Sequence, residues 1–225
     1  SRTQIDLKQL AENATVASYQ GSLYAAFLAR PWYVNGILAY GYNRNATSRN
    51  IAFGGITRTA VADYPGHTLA AYAEAGYRMM FKTVSVIPMA AFQASMLSRD
   101  GFTESDAGAF NLTVDKERTA SYLSALGIKT RKDFTVSTVT LTPEARINWL
   151  HEFSNDDYMI NAAFTGAPAS TFSIRGEKPN RDSLALGLSL TCLVQENVNL
   201  FVAYDANLAS DRFEQGGSLG LRIRW

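Results

Sequence analysis

The chain has 225 residues, of which 47% are hydrophobic and only 18% are charged, and its net charge is +1. The charged fraction is lower than the roughly 25% of an average soluble domain, and the near-neutral charge gives no argument for a nucleic-acid partner. The single cysteine, Cys192, excludes an internal disulfide bond. No stretch approaches the run of about 18 apolar residues that is typical of a transmembrane helix.

Alternation of apolar with small or polar residues predicts strands in the N-terminal half, because successive side chains of a strand point to opposite faces. Residues 1–13 carry no such pattern and are predicted to form a loop. A turn is predicted at Arg30-Pro31, since proline fixes its own backbone and restricts the residue before it, and another at Lys82-Thr83. The strands predicted around these turns cover residues 18–27, 32–43, 68–81 and 84–96.

The C-terminal half contains the clearest alternation. Between Leu184 and Val194, leucines, Cys192 and a valine occupy one face, and small or polar residues occupy the other. We interpret Cys192 as one more small apolar residue of this face. Two further strands cover residues 198–205 and 218–225, and weaker ones cover 121–129 and 139–149. The sequence therefore predicts nine strands.

The connections between these strands alternate in length. Long polar stretches lie at 44–66, 98–118, 154–181 and 206–217, and short ones lie at 29–31, 82–83, 130–138 and 195–197. This is the up-and-down pattern of outer-membrane barrels, which have short periplasmic turns and long extracellular loops. A soluble β-sandwich is the alternative, but it has no reason to alternate its connections. Within one long stretch, residues 162–164 and 171–174 are predicted to form extra strand or a folded loop.

The apolar set of side chains would face lipid in such an antiparallel transmembrane β-barrel, and the small polar set would face a wet lumen. Ionisable groups at membrane depth are tolerated where they face water and one another. The predicted lumen-lining charged residues are Glu74, Arg78, Lys129, Glu144, Arg146, Asp205, Arg222 and Arg224. Aromatic belts at the two membrane interfaces are predicted from Trp32, Tyr40, Tyr42, Tyr77, Phe81, Trp149, Tyr204 and Trp225.

Catalytic chemistry has little support in the sequence. The two histidines, His67 and His151, lie near predicted strand ends. A Ser-His-Asp triad requires the three side chains to be within hydrogen-bonding distance, and their presence in the sequence does not show this. There is no paired Cys/His spacing for a metal, and Asp156-Asp157 lacks the alternating oxygen ligands of a calcium loop. We therefore expect no catalytic, cofactor or metal site.

Several segments resemble the autotransporter β-domain, the C-terminal translocator of monomeric autotransporters in type V secretion. The matching segments occur in order along the whole chain. They are WYVNGILAYGYNR (32–44), GHTLAAYAEAGYR (66–78), RDGFTESDAGAFNLTV (99–114), LTPEARINWLHEF (141–153), FTGAPASTFSIR (164–175), LFVAYD (200–205) and GSLGLRIRW (217–225).

The resemblance implies a twelve-stranded barrel of the bacterial outer membrane, whose pore holds a helix that leads to an exported passenger. Residues 1–225 then correspond to nine of a probable twelve strands, without the pore helix and about three strands, so we expect a fragment or processed product. The lumen charges would either balance one another or contact the passenger. An outer-membrane barrel enzyme of protease or lipase type and a simple porin remain the alternatives.

The terminal strand is the last feature that the resemblance interprets. Leu219, Leu221 and Ile223 share one face, and Trp225 closes the strand. In barrels of this kind, such a strand resembles the signal that the outer-membrane barrel assembly machinery reads. The alternative is that Trp225 only anchors the strand at the membrane interface. The expected partners are therefore the passenger, the assembly machinery and the lipid bilayer.

Overall fold

A computed structural model describes residues 2–7, 12–137, 139–154, 159–176, 180–195 and 198–223. These residues form strands almost throughout, with one short 3-10 helix at Gly108–Phe110. The strands are β1 (Arg2–Leu7), β2 (Glu12–Ala29), β3 (Trp32–Phe53), β4 (Ile56–Tyr77), β5 (Met79–Phe81), β6 (Val84–Arg99), β7 (Phe102–Thr103), β8 (Leu112–Val114), β9 (Glu117–Lys132), β10 (Phe134–Val136), β11 (Val139–Glu152), β12 (Met159–Phe164), β13 (Thr171–Arg175), β14 (Asp182–Gln195), β15 (Val198–Leu208) and β16 (Phe213–Ile223).

The main sheet has the order β1-β2-β3-β4-β6-β9-β11-β14-β15-β16, with β5 paired to β6 and β10 to β11. Every pairing is antiparallel. Within the described residues, nine strands of this sheet are 11 residues or longer, and they are the nine that alternation predicts. The sheet is curved, because residues from β4 through β16 line one hollow. The predicted all-β, up-and-down architecture is confirmed.

The two faces of the sheet differ in chemistry. On the outer face, large apolar side chains stand exposed, and Leu219 (82%), Leu23 (74%) and Phe27 (64%) are examples. The inner face contains the buried side chain of Glu74 and small residues such as Ala91. Among the described residues, no large side chain is fully buried, whereas a soluble domain would bury its large apolar side chains in a core. An exposed apolar face of this extent requires an apolar environment.

Two predicted connections and the predicted N-terminal loop are largely strand. The prediction for 44–66 is wrong, because β3 and β4 stay in register from Arg44↔Pro65 to Phe53↔Ile56, around a turn at Gly54 and Gly55. Both glycines have positive φ angles, 54° and 81°, which other residues rarely adopt. The strands β15 and β16 likewise extend to Leu208 and from Phe213. At the N-terminus, residues 2–7 form β1 and pair with β2, so the prediction of a loop is wrong for these residues.

Two of the short connections lie where they are predicted, whereas 130–138 is largely strand, since β9 runs to Lys132 and β10 covers Phe134–Val136. A turn at residues 30–31 joins β2 to β3, and one at 82–83 joins β5 to β6, where Lys82 has a positive φ of 56°. We call this end of the sheet the short-turn end and the opposite end the long-loop end. Among the residues that the structure describes, there is no helix of the length and hydropathy needed to cross a membrane.

Two of the long connections fold together at the long-loop end. Their strands form a four-stranded sheet in the order β13-β12-β8-β7, which we call the cap sheet. The extra strands predicted at 162–164 and 171–174 are therefore confirmed as parts of β12 and β13. Outside the strands, Asp100 accepts a hydrogen bond of 2.7 Å from Lys116, and this ammonium holds the pKa of Asp100 below its usual range.

The connection between β7 and β8 of the cap sheet packs on the inner face of the β3–β4 hairpin. Arg49 of β3 forms an ion pair of 2.5 Å with Glu104, and Val61 exchanges two backbone hydrogen bonds with Ser105. A small apolar core joins the two parts, and it consists of Ile51, Ala60, Ala107 and Phe110. Ala60 and Glu74 lie an even number of residues apart in β4 and therefore share a face, so this contact lies on the inner face at the long-loop end.

Candidate functional site

The inner face contains a cluster of polar side chains around Glu74. Glu74 is 7% exposed, and its Oε1 atom accepts hydrogen bonds from Lys129 Nζ at 2.6 Å and from the Tyr33 hydroxyl at 2.8 Å. Its Oε2 atom accepts a hydrogen bond of 2.6 Å from the Tyr72 hydroxyl. The carboxylate is therefore neutralised by one cation and two phenols, as a buried charge requires.

A glycine makes room for this cluster. Tyr33 of β3 lies directly opposite Gly76 of β4 in the sheet register. A Cβ atom added to Gly76 would lie 2.3 Å from Cε1 of Tyr33. The absence of a side chain at Gly76 therefore allows the Tyr33 ring to lie across β4, where its hydroxyl reaches Glu74.

A second ion pair lies farther along the inner face. Arg146 of β11, Gly187 of β14 and Asp205 of β15 occupy one row of the sheet. The Arg146 guanidinium crosses Gly187 to donate to Asp205, and a Cβ at Gly187 would lie 2.2 Å from Arg146 Nε. The side chains of this pair are 41% and 52% exposed, so it is much wetter than the pair of Glu74 and Lys129.

Most of the predicted lumen charges lie on this inner face. Glu144 and Arg222 line a hollow of about 400 Å³ together with Arg146 and Asp205. Glu74 and Lys129 line a second hollow of about 400 Å³, which Arg146 and Asp205 also border. Among the described residues, the two hollows thus gather six of the predicted charges, three acidic and three basic, and Glu214 adds a fourth carboxylate.

Arg78 stands apart from these hollows. Arg78 lies exposed between β4 and β5 at the short-turn end, and its backbone N–H donates to Pro31 O at 2.8 Å. Arg224 lies outside the described residues, as does Trp225. Asp156-Asp157, which the sequence compares with a calcium loop, also lies outside the described residues.

Tyr33, Tyr72 and the two glycines are partners of the lumen charges that the sequence pattern does not identify. Alternation places all four on the inner face, but it does not give the level of one strand against another. Glu152 was also missed, because it lies at the end of β11. This carboxylate accepts hydrogen bonds from the Ser121 hydroxyl (2.5 Å) and from the backbone N–H groups of Tyr122 and Ser154 (2.9 and 2.8 Å).

Both histidines lie among aromatic side chains at the long-loop end. His67 Nδ1 is 2.8 Å from the Tyr40 hydroxyl. His151 Nδ1 is 2.9 Å from Asp182 Oδ1, which also accepts a hydrogen bond of 2.9 Å from Trp149 Nε1. In the described part of the chain, no serine hydroxyl hydrogen-bonds either imidazole, so the residues assemble no Ser-His-Asp relay there. Nor do three potential metal ligands converge in that part.

Aromatic side chains mark two levels of the outer face. Trp32 and Tyr77 form an edge-to-face pair at the short-turn end, with ring centroids 4.7 Å apart. Trp149, Tyr40 and Tyr42 surround the two histidines at the other end. A curved antiparallel sheet with an apolar outer face between two aromatic levels and a charged inner face defines an outer-membrane β-barrel protein.

The model of the family described as "Autotransporter beta-domain" matches residues 1–205. The chain therefore belongs to the autotransporter β-domain family, and the predicted resemblance and location in the bacterial outer membrane are confirmed. In this membrane the long-loop end is extracellular and the short-turn end is periplasmic.

Similar curated proteins are much longer than this chain. Outer membrane protein A of Rickettsia rickettsii is 28% identical over 174 residues, which is 75% of this chain and 7% of that protein. Esterase EstA of Pseudomonas aeruginosa is 23% identical over 210 residues, which is 92% of this chain and 32% of that protein. The chain thus spans less than two thirds of the length of these relatives.

Solved structures share the fold. The translocator domain of autotransporter NalP from Neisseria meningitidis superposes with a TM-score of 0.70 at 19% identity, over 95% of this chain and 69% of that chain. The β-domain of the Bordetella autotransporter BrkA gives a TM-score of 0.51 at 17% identity, over 99% of this chain and 94% of that chain.

Proposed function

We propose that this chain is the translocator barrel that supports export of its own N-terminal passenger to the cell surface by type V secretion. The observation that carries the proposal is the family match over residues 1–205. It is supported by the translocator domain of NalP, which has the same fold. The charged inner face is a suitable lining for a passing polypeptide, since its ionised groups keep water along the path.

The inner charges would have two roles. The pairs Glu74–Lys129 and Arg146–Asp205 bridge strands on either side of an intervening strand, and they would keep the lumen rigid and hydrated. Glu144 and Arg222 border the wetter hollow and would be the groups that contact the passenger or a helix in the pore. This division follows from the ion pairs, which engage Glu74, Lys129, Arg146 and Asp205, whereas no ion pair among the described residues engages Glu144 or Arg222.

The complete barrel would contain further strands. The path of the main sheet has two ends, β1 and β16, and unpaired strand edges are not tolerated in lipid because nothing there satisfies their backbone groups. The chain matches 69% of the NalP translocator domain. We propose that about three more strands close the barrel and that a helical segment occupies its pore.

Catalysis would belong to other segments in relatives that have it. Extracellular serine protease of Serratia marcescens is 23% identical over 186 residues, which is 18% of that protein. The chain matches 32% of Esterase EstA. We assign residues 1–225 a transport role without a catalytic group.

Export can be tested with an epitope placed in the complete protein, N-terminal to residue 1. We expect the epitope to be accessible to antibody and to added protease on intact cells. In a matched variant that lacks residues 1–225, it should stay inside the outer membrane. Surface display of the epitope without these residues would contradict the proposed function.

Deletion of Trp225 in the complete protein tests the proposed contact with the barrel assembly machinery. The strand β16 pairs with β15 and exposes Leu219, Leu221 and Ile223 on the outer face. Such an edge can be read by strand addition, in which backbone bonds give affinity and alternate side chains give specificity. We expect slower membrane insertion in pulse-chase experiments, and near-parental resistance to unfolding in the barrels that do insert.

An anchoring role for Trp225 would give the opposite pair of results. Insertion would then proceed at the parental rate, and the inserted barrel would unfold more easily. Normal insertion kinetics after the deletion would therefore exclude the recognition role.

A further inference from the structure

The outer face has a groove on its periplasmic half. Its volume is about 540 Å³, within the range of roughly 300–1,000 Å³ that is usual for small-molecule sites. The groove runs along β11, over Pro143 and Ala145. Its outward-facing lining includes Lys132, Phe134, Leu188, Leu190 and Tyr204 of the neighbouring strands. Arg131 and Glu144 also border it, and they pair with each other in the sheet register, in phase with the inner face.

The sequence of β11 explains why the surface is hollow here. Pro143 and Ala145 carry short side chains. Leu190 of β14, which lies opposite Pro143, and Val202 of β15, which lies opposite Leu190, carry larger ones. The ladder on the other side is interrupted, since β9 ends at Lys132 and β10 begins at Phe134. Proline has no N–H to donate to this side of the ladder.

A cation lies at one wall of the groove. Lys132 Nζ lies 4.6 Å from the ring centroid of Phe134. The nearby carboxylate of Asp133 is held by the Thr142 hydroxyl at 2.7 Å and lies 3.9 Å from Arg131. Within the described residues, no carboxylate forms an ion pair with Lys132. An ammonium without an acidic partner therefore borders an apolar groove.

The level of this cation is close to the periplasmic surface. Lys132 pairs with Val84, which is the first residue of β6 after the turn at residues 82–83. A lysine at this level can extend its ammonium toward the headgroups while its methylenes lie along apolar surface. Basic groups at a membrane surface attract anionic lipid headgroups.

We propose that this groove is a binding site for an anionic phospholipid of the periplasmic leaflet. The headgroup phosphate pairs with the Lys132 ammonium, and an acyl chain lies over Pro143 and Ala145, between Phe134 and the leucines of β14. The site depends on the location of the barrel in the outer membrane, and it does not depend on export of a passenger.

Lipid retention by the complete protein tests this site. The protein is inserted into vesicles of equal phosphatidylglycerol and phosphatidylcholine content and extracted in mild detergent, and the lipids that remain bound are counted by mass spectrometry. We expect the parent to retain phosphatidylglycerol preferentially. Lys132→Gln should lower this preference about fivefold, the effect of one basic group at an anionic surface. Ala145→Phe should fill the groove and release both lipids.

Arg30→Gln is the matched control, because Arg30 lies exposed at the same end of the sheet, in the turn between β2 and β3. It should retain lipid as the parent does. Heat-modifiable mobility on gels verifies that each variant forms a barrel. Equal retention of the two lipids by the parent would overturn the proposal. Parental preference in Lys132→Gln, or parental retention in Ala145→Phe, would also overturn it.

Discussion

Leu186→Arg is expected to lower the free energy of unfolding by about 1–2 kcal/mol, because a guanidinium on the lipid face costs about 2–4 kcal/mol at the bilayer midplane and about 0–1 kcal/mol at the interface, and Leu186 lies between the two. Leu186 lies on the outer face, opposite Ile147 of β11 and Ala206 of β15. It is two residues from Leu184, which pairs with Trp149 of the extracellular aromatic level. Leu221→Arg should have a similar effect, since Leu221 is 58% exposed on the outer face of β16.

Ser189→Arg is the control, because Ser189 lies in the same strand as Leu186 but borders the inner hollow with Glu144 and Asp205. An arginine in this wet lumen should cost far less. Unfolding of the complete protein by denaturant in lipid vesicles measures all three variants. Equal losses for Leu186→Arg and Ser189→Arg would mean that the two faces are wrongly assigned.

Alternation predicted the strands that cross the membrane because a lipid face and a lumen face impose a strict period of two on the side chains. It failed for the polar extensions. In residues 44–66, the outer face is surrounded by water, and the inner face buries only a few residues, Ile51 and Ala60 among them, so neither face requires a regular series of apolar residues. The backbone ladder from Arg44↔Pro65 to Phe53↔Ile56 holds these strands together, and backbone hydrogen bonds have no side-chain signature.

The partners in the lumen could be predicted only in part. Alternation gives the face of Glu74 and of Lys129, but these residues are 55 positions apart in the chain. Their contact depends on the registers of β4 with β6 and of β6 with β9. The roles of Gly76 and Gly187 depend on strand register in the same way. Each is opposite a large inner side chain, and only the register shows which one.

Lys129→Met tests the most buried charge pair of the lumen. The side chains of Lys129 and Glu74 are 18% and 8% exposed. Removal of one partner of a buried pair costs about 3–5 kcal/mol, because the remaining charge stays buried without compensation. The hydroxyls of Tyr33 and Tyr72 still donate to Glu74, so we expect a loss at the lower end of this range, about 3 kcal/mol.

A double-mutant cycle separates the pair from the packing around it. Lys129→Met leaves the charge of Glu74 without its partner, and Glu74→Gln removes that charge. The double variant should therefore be more stable than Lys129→Met alone, with a coupling energy between the two residues of about 1–3 kcal/mol. Arg146→Met is the matched control. The side chains of Arg146 and Asp205 are 41% and 52% exposed, and exposed ion pairs are worth about 0.2–1 kcal/mol. Denaturant unfolding of the complete protein in vesicles measures the four variants. A loss in Lys129→Met no larger than that in Arg146→Met would show that water reaches Glu74 freely and that the two pairs are equivalent.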